Sequence, residues 1–177
     1  FIGSYNDFKQ RIDEIQSVIN IKGLDEQKQN IINKLSYINI ITSLDTFICD
    51  IILTKIIQDE ESFNNFFNSI PPCKKKDEMT KLKEDNLVAQ WEQKVIEYVM
   101  RTSYSNIDTI KDILKELFKV SIIDTNGKMK KHFYYRNLLA HRNGRKKDGG
   151  YINITNEELK SLITDTQSIV KQIQTKI

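Results

Sequence analysis

The sequence predicts an all-α fold, and two observations carry this prediction. Apolar residues recur three or four positions apart through most of the chain, which is the spacing of one helix face. The residues that break helices, six Gly and two Pro, stand between these periodic segments and interrupt none of them. With 177 residues, of which 39% are hydrophobic, the chain can build one core. We therefore predict one domain over residues 1–177, a bundle of five or six helices.

The first two predicted helices include the longest segment of the chain. The first runs from about residue 4 to 20, ends before Gly23, and is a candidate accessory element. The second runs from Asp25 to about Glu60, and we expect it to be the central, most buried helix. A pair of strands is the competing interpretation, because Ile is β-branched. Three-four spacing sustained over this length favours the helix, through Ile31, Leu35, Ile38, Ile41, Leu44, Ile48, Ile52 and Ile56.

The remaining predicted elements follow from the positions of helix-breaking and helix-capping residues. Residues 62–80 are predicted to be a connector with a short helix at SFNNFF, and Lys81 to Met100 to be the next helix. SNID, starting at Ser105, resembles a capping box that opens a helix, and TNEE, starting at Thr155, is a second one that opens the last helix. Between these two helices, Asn126-Gly127 predicts a tight turn before a helix from Lys130 to Arg142. Short extended segments are expected only at residues 120–123 and 151–154.

Composition argues against a membrane protein and against a disulfide-rich secreted one. The most apolar window, residues 47–57, is too short to cross a membrane and contains Asp50 and Lys55. No signal peptide is evident, and two cysteines, Cys49 and Cys73, do not form a disulfide framework. We expect a cytoplasmic protein. Because the first residue is Phe rather than Met, we expect a sequence that is either trimmed or part of a longer product.

Positive charge is concentrated in one stretch. Residues 128–147 hold eight cations and no acid, so a net charge of +3 leaves 3 − 8 = −5 for the rest of the chain. Such a distribution favours a surface that binds a polyanion, with an ordinary solvated face as the alternative. If the polyanion is RNA, the residues expected to bind its phosphates are Lys128, Lys130, Lys131, Arg142, Arg145, Lys146 and Lys147.

Both histidines lie in the same stretch, HFYYRNLLAHRNGRKK. The chain lacks a Gly-rich phosphate loop and zinc-ligand spacing, and its carboxylates are scattered, so neither a cofactor nor a metal is expected. A Ser-His-Asp or Cys-His site stays open, although no nucleophile elbow is present. On a helix, Asn137 and His141 share a face, whereas Arg136 lies about 140° around from His141 and must reach that face with its long side chain.

These residue types suit RNA cleavage. A neutral His141 can take the proton from a ribose 2′-OH, Arg136 can neutralise the charge on phosphorus oxygens, and Asn137 can orient either group. A buried or helix-capping His141 is the competing interpretation. Cleavage also needs a proton donor for the leaving oxygen, and one motif supplies one His. A two-fold dimer with two motifs in one cleft would solve this, and His132 is the intramolecular alternative.

The stretch RNLLAH resembles the R-N-x-x-x-H form of the R-x4-6-H motif of HEPN domains. SLDTFICDII, residues 43–52, is similar to the first-helix signature of RiboL-PSP-type HEPN domains, and the resemblance covers about residues 25–175. It implies an all-α HEPN-like bundle that acts as a dimeric, metal-independent ribonuclease in toxin–antitoxin, abortive-infection or CRISPR systems. Arg136 and His141 match the catalytic pair, and Asn137 the common polar residue after the Arg. Asp45 matches the first-helix acid, either as support for the site or as a structural pair.

The leading hypothesis is therefore an endoribonuclease of toxin or anti-phage type, with RNA, a second copy of the chain and an antitoxin or defence protein as expected partners. One alternative is a catalytically silent dimer that binds RNA or a partner protein. A DNA-binding regulator ranks lowest, because no helix-turn-helix signature is evident. HEPN toxins paired with nucleotidyltransferase antitoxins often carry Tyr two residues after the His. That position is Asn143 here, so modification of such a tyrosine is not expected.

Overall fold

The computed structural model describes residues 2–104 and 106–177, and this part of the chain is helical throughout apart from short connectors. A single 3-10 turn, Thr125–Gly127, precedes the seventh helix. The α-helices are α1 (Ile2–Ile19), α2 (Glu26–Gln58), α3 (Glu60–Ser69), α4 (Lys74–Glu84), α5 (Val88–Arg101), α6 (Ile107–Phe118), α7 (Lys128–Arg142) and α8 (Asn156–Gln174).

The all-α prediction is confirmed, but the expected number of five or six helices is wrong, since the described residues form eight. Most of the predicted connector at residues 62–80 is helical, in α3 and α4. The helix predicted from Lys81 to Met100 is interrupted at Asn86, which has a φ of 56°. The Leu87 N–H then donates to the Leu82 carbonyl at 2.9 Å. Asn tolerates this left-handed conformation, so the helix ends here although the segment contains neither Gly nor Pro.

Helix α2 forms the centre of the bundle, as predicted, and contacts α1, α3, α5, α6, α7 and α8. Its buried stripe includes Ile40, Leu44, Ile48 and Ile52. At its N-terminal end the predicted face is wrong, because Ile31 and Leu35 are 51% and 56% exposed. The stripe that faces inward there is polar and includes Asn33, Ser36 and Tyr37.

A long-range hydrogen bond explains why polar residues are buried at this end of α2. The Asn33 side-chain amide donates to the Ile154 carbonyl at 2.8 Å and to the Asn156 side chain at 3.1 Å. The N-terminal end of α8 is thereby joined to α2. Hydrophobic periodicity has no means of finding such a face, because its partners are more than a hundred residues away.

Helix α1 packs along α2 through Phe8 and Ile12, both buried. The rings of Phe8 and Phe47 are 5.9 Å apart, and the Arg11 guanidinium donates to Thr46 Oγ1 at 3.5 Å. None of the described helices is long and apolar enough to cross a membrane.

The predicted caps and turns are largely as expected. Thr155 and Glu158 form the capping box of α8, with both reciprocal hydrogen bonds present. The other capping prediction involves Ser105, which lies outside the described residues, and the N-cap of α6 is Asn106. Neither predicted extended segment forms a strand. A lone antiparallel bridge between Arg145 and Tyr151 is recorded there instead.

Candidate active site and RNA interface

Helix α7 carries the candidate motif and lies against α2, α6 and α8. Asn126 and Gly127 both have positive φ, which turns the chain into the helix, and Asp124 accepts a hydrogen bond from the Met129 N–H at 3.0 Å. One face of α7 is buried through Met129, His132, Phe133, Leu138 and Leu139. The opposite face is open to solvent and presents Tyr134, Asn137 and His141. Packing of the apolar face therefore holds the candidate residues on a fixed, exposed helix surface.

The side chain of Arg136 bends toward this exposed face. Its Nη1 donates to Asn137 Oδ1 at 3.1 Å, and Asn137 lies one helical turn before His141. Arg136 itself lies about 140° around the helix from His141, and its hydrogen bond links it to Asn137, which shares a face with His141. The Nε atom of Arg136 is buried and has no hydrogen-bond partner in the described part of the chain.

Asp45 lies behind Arg136. It accepts a short hydrogen bond from the backbone N–H of Tyr104, which joins α2 to the segment between α5 and α6. Burial raises the pKa of the Asp45 carboxyl, and the Tyr104 N–H and the positive charge of Arg136 partly oppose that rise. Asp45 thus has both expected features, a structural hydrogen bond and an electrostatic interaction with Arg136.

The two histidines have opposite environments. They are nine residues apart, which places them on opposite sides of α7 and about 13.5 Å apart along its axis. His141 is exposed and has no hydrogen bond or ion pair among the residues that the structure describes. This exposure argues against the interpretation of His141 as a buried side chain. His132, by contrast, is only 6% exposed, and both of its ring nitrogens are occupied.

His132 joins three helices. The Tyr37 hydroxyl of α2 lies 2.6 Å from His132 Nδ1, and Asp165 Oδ2 of α8 lies 3.0 Å from His132 Nε2. Because a carboxylate only accepts, Nε2 carries the proton and Nδ1 accepts from Tyr37. Asp165 also accepts from Ser161 at 3.2 Å and pairs with Lys128 at 3.4 Å.

Burial lowers the pKa of His132, and the Asp165 carboxylate opposes this effect only in part. His132 is therefore a neutral, hydrogen-bonded core residue near neutral pH. It has no free nitrogen with which to give a proton to RNA, which argues against His132 as the intramolecular proton donor. Sequence reasoning missed Tyr37 and Asp165 as its partners, because both are distant in the chain.

The end of α7 requires unusual backbone conformations at two successive residues. Asn143 and Gly144 have φ angles of 50° and 79°, and the Gly144 N–H donates to the Leu138 carbonyl at 2.9 Å. A side chain at Gly144 would also stand 3.3 Å from Leu139 Cδ2. Asn143 is thus a helix-terminating residue, and the left-handed backbone conformation that it adopts is one that Asn tolerates.

Directly after this turn the chain forms a small hairpin, which we call the basic hairpin, residues 142–151. Arg145 and Tyr151 pair across it, and the Lys146 N–H donates to the Gly150 carbonyl at 2.7 Å. Asp148 is occupied within the turn, where it accepts from the Gly150 N–H at 3.0 Å. A shallow concavity of the hairpin is lined by Arg142, Arg145, Lys146, Lys147 and Gly149.

The structure divides the predicted RNA-binding cations into two groups. Lys128 pairs with Asp165 at 3.4 Å and Lys130 pairs with Asp108 at 3.3 Å, while Lys131 lies 5.1 Å from the centre of the Tyr135 ring. In the basic hairpin, by contrast, none of the four cations forms an ion pair with a described residue. Among the predicted RNA-binding cations, those of the hairpin that follows His141 are therefore the ones without acidic partners or ring contacts among the described residues. No group of three or more described His, Cys, Asp or Glu side chains is arranged to hold a metal ion.

Comparison with known proteins gives one match. Residues 6–177 match the family described as RiboL-PSP-HEPN, a range that includes the candidate motif, the basic hairpin and all but the first residues of α1. Neither a curated protein nor a solved structure matches the chain.

Proposed function

Because the chain belongs to the RiboL-PSP-HEPN family, we propose that it is a metal-independent endoribonuclease of the toxin or anti-phage type. Membership itself indicates a role connected with RNA. The endonuclease activity and its use in defence are our proposal, and Arg136, Asn137 and His141 are the residues to which we assign it.

The observation that carries this proposal is the state of His141. Its imidazole is exposed and has no hydrogen bond or ion pair to a described residue. Arg136 donates to Asn137, which shares a helix face with His141, and the cations of the basic hairpin begin at the next residue. A structural histidine is normally occupied by hydrogen bonds, as His132 is. An exposed imidazole on the same helix as a half-buried guanidinium, followed by a run of cations, suits a phosphodiester substrate.

The proposed reaction is transfer of the phosphoryl group to the neighbouring ribose oxygen. The neutral imidazole of His141 takes the proton of the 2′-OH, and the 2′-oxygen forms a bond to phosphorus while the bond from phosphorus to the 5′-oxygen breaks. The products are a 2′,3′-cyclic phosphate and a 5′-hydroxyl end. The Arg136 guanidinium donates to the phosphorus oxygens, where negative charge increases in the transition state.

The leaving 5′-oxygen needs a proton, and a single chain offers no second free imidazole, because His132 is occupied in the core. We therefore propose a two-fold dimer in which the His141 of one protomer acts as base while that of its partner, protonated, acts as acid.

An RNA cleavage assay in excess EDTA tests the proposal. Wild-type protein is incubated with total RNA beside Arg136→Ala and His141→Ala, with Arg101→Ala on the exposed surface of α5 as a matched arginine control. Removal of a general base typically lowers a rate by about 10²- to 10⁴-fold. We expect losses of this size for Arg136→Ala and His141→Ala, and wild-type activity for Arg101→Ala.

Three outcomes would contradict the assignment: no cleavage by the wild type, cleavage unaffected by either change, or 3′ ends without cyclic phosphate. RNA binding without cleavage would favour the silent RNA-binding dimer instead. Growth arrest on expression, relieved by His141→Ala, is the matching test in cells.

A further inference from the structure

Two exposed tyrosines flank the candidate active site. Tyr134 is 49% exposed and Tyr151 is 63% exposed, and the other aromatic side chains that the structure describes are buried or half-buried. Both tyrosines lie within ten residues of His141. Aromatic rings provide a large, rigid contact surface, so the presence of both exposed rings near His141 favours a binding role for this surface.

Tyr134 lies on the helix stripe that also carries Asn137 and His141. It precedes His141 by seven residues, which is two turns and a displacement of about 20° around the helix. Its neighbour Tyr135 is half-buried and packs against Tyr37, with ring centres 6.5 Å apart. The Tyr134 ring lies 6.1 Å from that of Tyr135, and no hydrogen bond to its hydroxyl is recorded among the described residues. Tyr134 is therefore an exposed ring on a rigid support.

Tyr151 follows His141 in the chain and lies in the basic hairpin. It pairs with Arg145 in the antiparallel bridge, and residues paired in this way carry their side chains on the same face. An aromatic ring thus stands beside a cation that forms no ion pair with any residue the structure describes. This combination of a stacking surface and a phosphate contact is characteristic of sites for single-stranded nucleic acids.

We propose that Tyr134 and Tyr151 are base-stacking residues of the RNA site, one on each side of His141. The inference rests on the proposed function for the identity of the ligand. Tyr134 lies about 10.5 Å from His141 along the helix, which corresponds to about three base steps of a stacked strand at 3.4 Å each. Paired bases are stacked inside a duplex and present no face to a protein ring, so the RNA around the cut must be unpaired.

The test measures binding rather than cleavage, in the His141→Ala background so that the RNA stays intact. The probe is a short fluorescent oligoribonucleotide without secondary structure, compared with the same strand in a duplex and with a strand that carries abasic sites. We expect Tyr134→Ala and Tyr151→Ala each to weaken binding of the unpaired strand by about five-fold to about a hundredfold. Tyr134→Phe and Tyr151→Phe keep the ring and should stay within about two-fold of the parent.

The abasic strand separates stacking from other causes. If the tyrosines stack on bases, the penalty of the Ala variants disappears on this strand, whereas a folding defect or a lost phosphate contact would persist. Met100→Ala, at an exposed apolar residue of α5, is the control and should leave binding unchanged. An equal penalty on both strands, or an equal loss in the Phe variants, would overturn the inference.

A second copy of this chain is the competing partner for these rings. Light scattering of the same variants distinguishes a second copy from RNA. If Tyr134→Ala shifts the protein from dimer to monomer while the remaining dimer binds RNA with unchanged affinity, Tyr134 belongs to the dimer interface. That result would overturn its stacking role. Failure of the proposed function gives a different result. A wild-type protein that binds unpaired RNA but does not cut it would contradict the proposed nuclease activity and leave the stacking inference standing.

Discussion

At the scale of single residues, the two histidines show how position on one helix separates chemistry from structure. His132 faces the core, where Tyr37 and Asp165 occupy both of its ring nitrogens. His141 faces solvent, and its imidazole has no partner in the part of the chain that the structure describes. Nine residues make about two and a half turns of an α-helix, so a helix over this stretch necessarily places the two histidines on opposite faces. Which of the two faces is buried did not follow from that spacing.

The environment of His132 predicts a stability that depends on pH. The pKa of His132 is lowered in the folded state, whereas an unfolded His titrates near 6.5. Below about pH 6.5 the unfolded chain therefore binds the additional proton, and stability falls as pH decreases toward the folded pKa. The contribution of His132 is at most about 1.4 kcal/mol per pH unit, which corresponds to roughly 3–6 °C in Tm.

Thermal unfolding is followed by circular dichroism between pH 7.5 and 5.5. The contribution of His132 is the difference between wild type and His132→Gln in the slope of Tm against pH. Imidazole ¹⁵N spectra give a check that does not require the variant to fold, since His132 should stay neutral and protonated at Nε2 below pH 6.5. Titration of His132 at or above its ordinary pKa would contradict the assigned network.

Among the elements of the fold, α7 and the basic hairpin form one continuous structural unit. The helix packs His132, Phe133 and Leu139 inward and presents the candidate residues outward. Asn143 and Gly144 then turn the chain so that the hairpin starts at the end of the helix. One charged stretch in the sequence therefore forms two surfaces. Lys128 and Lys130 at the start of the helix pair with acids, whereas the cations of the hairpin form no ion pair with a described residue.

This division predicts unequal contributions to the salt dependence of RNA binding. The slope of log K against log salt concentration is negative, and each lost phosphate contact reduces its magnitude by about 0.7 for a single strand. We expect Lys146→Ala/Lys147→Ala to lower the slope by about 1.4. Lys128→Ala/Lys130→Ala removes the same charge, and we expect a smaller change, because those cations already have acidic neighbours. Anisotropy titrations of the His141→Ala protein over a salt series measure both, and equal slopes for the two pairs would refute the division.

At the scale of the whole molecule, α2 determines where the site can be. Six helices contact it, and three of its residues reach the motif helix or its surroundings: Tyr37 holds His132, Asp45 faces Arg136, and Asn33 joins the start of α8. The motif helix is thereby fixed against the core while its outer face stays open. An open outer face is what a second protomer would need in order to bring its own motif into the same cleft.

The proposed dimer predicts a dominant effect of inactive subunits. If base and acid come from two protomers, mixing wild type with excess His141→Ala and allowing subunits to exchange should lower activity with the square of the wild-type fraction, since only wild-type pairs cleave. A site complete within one chain would instead lose activity in proportion to dilution. The cleavage rate across a series of mixing ratios distinguishes the two relations, with Met100→Ala as a partner that should cause no loss.

Local patterns in the amino-acid sequence were enough to predict the all-α class, the course of α2 and α7, the turn before α7 and the cap of α8, because each depends on contacts within a few residues. They also indicated the Arg136-to-His141 motif and the concentration of charge around it. The folded chain was needed to show that residues 60–84 hold two helices, that Asn33 and Tyr37 face inward at the end of α2, and that His132 is held in the core. The same holds for the bend of Arg136 toward Asn137 and for the pairing of Lys128 and Lys130 with acids. Each of these depends on a backbone torsion at one Asn, on the reach of a flexible side chain, or on hydrogen bonds and ion pairs between distant segments, which local periodicity does not encode.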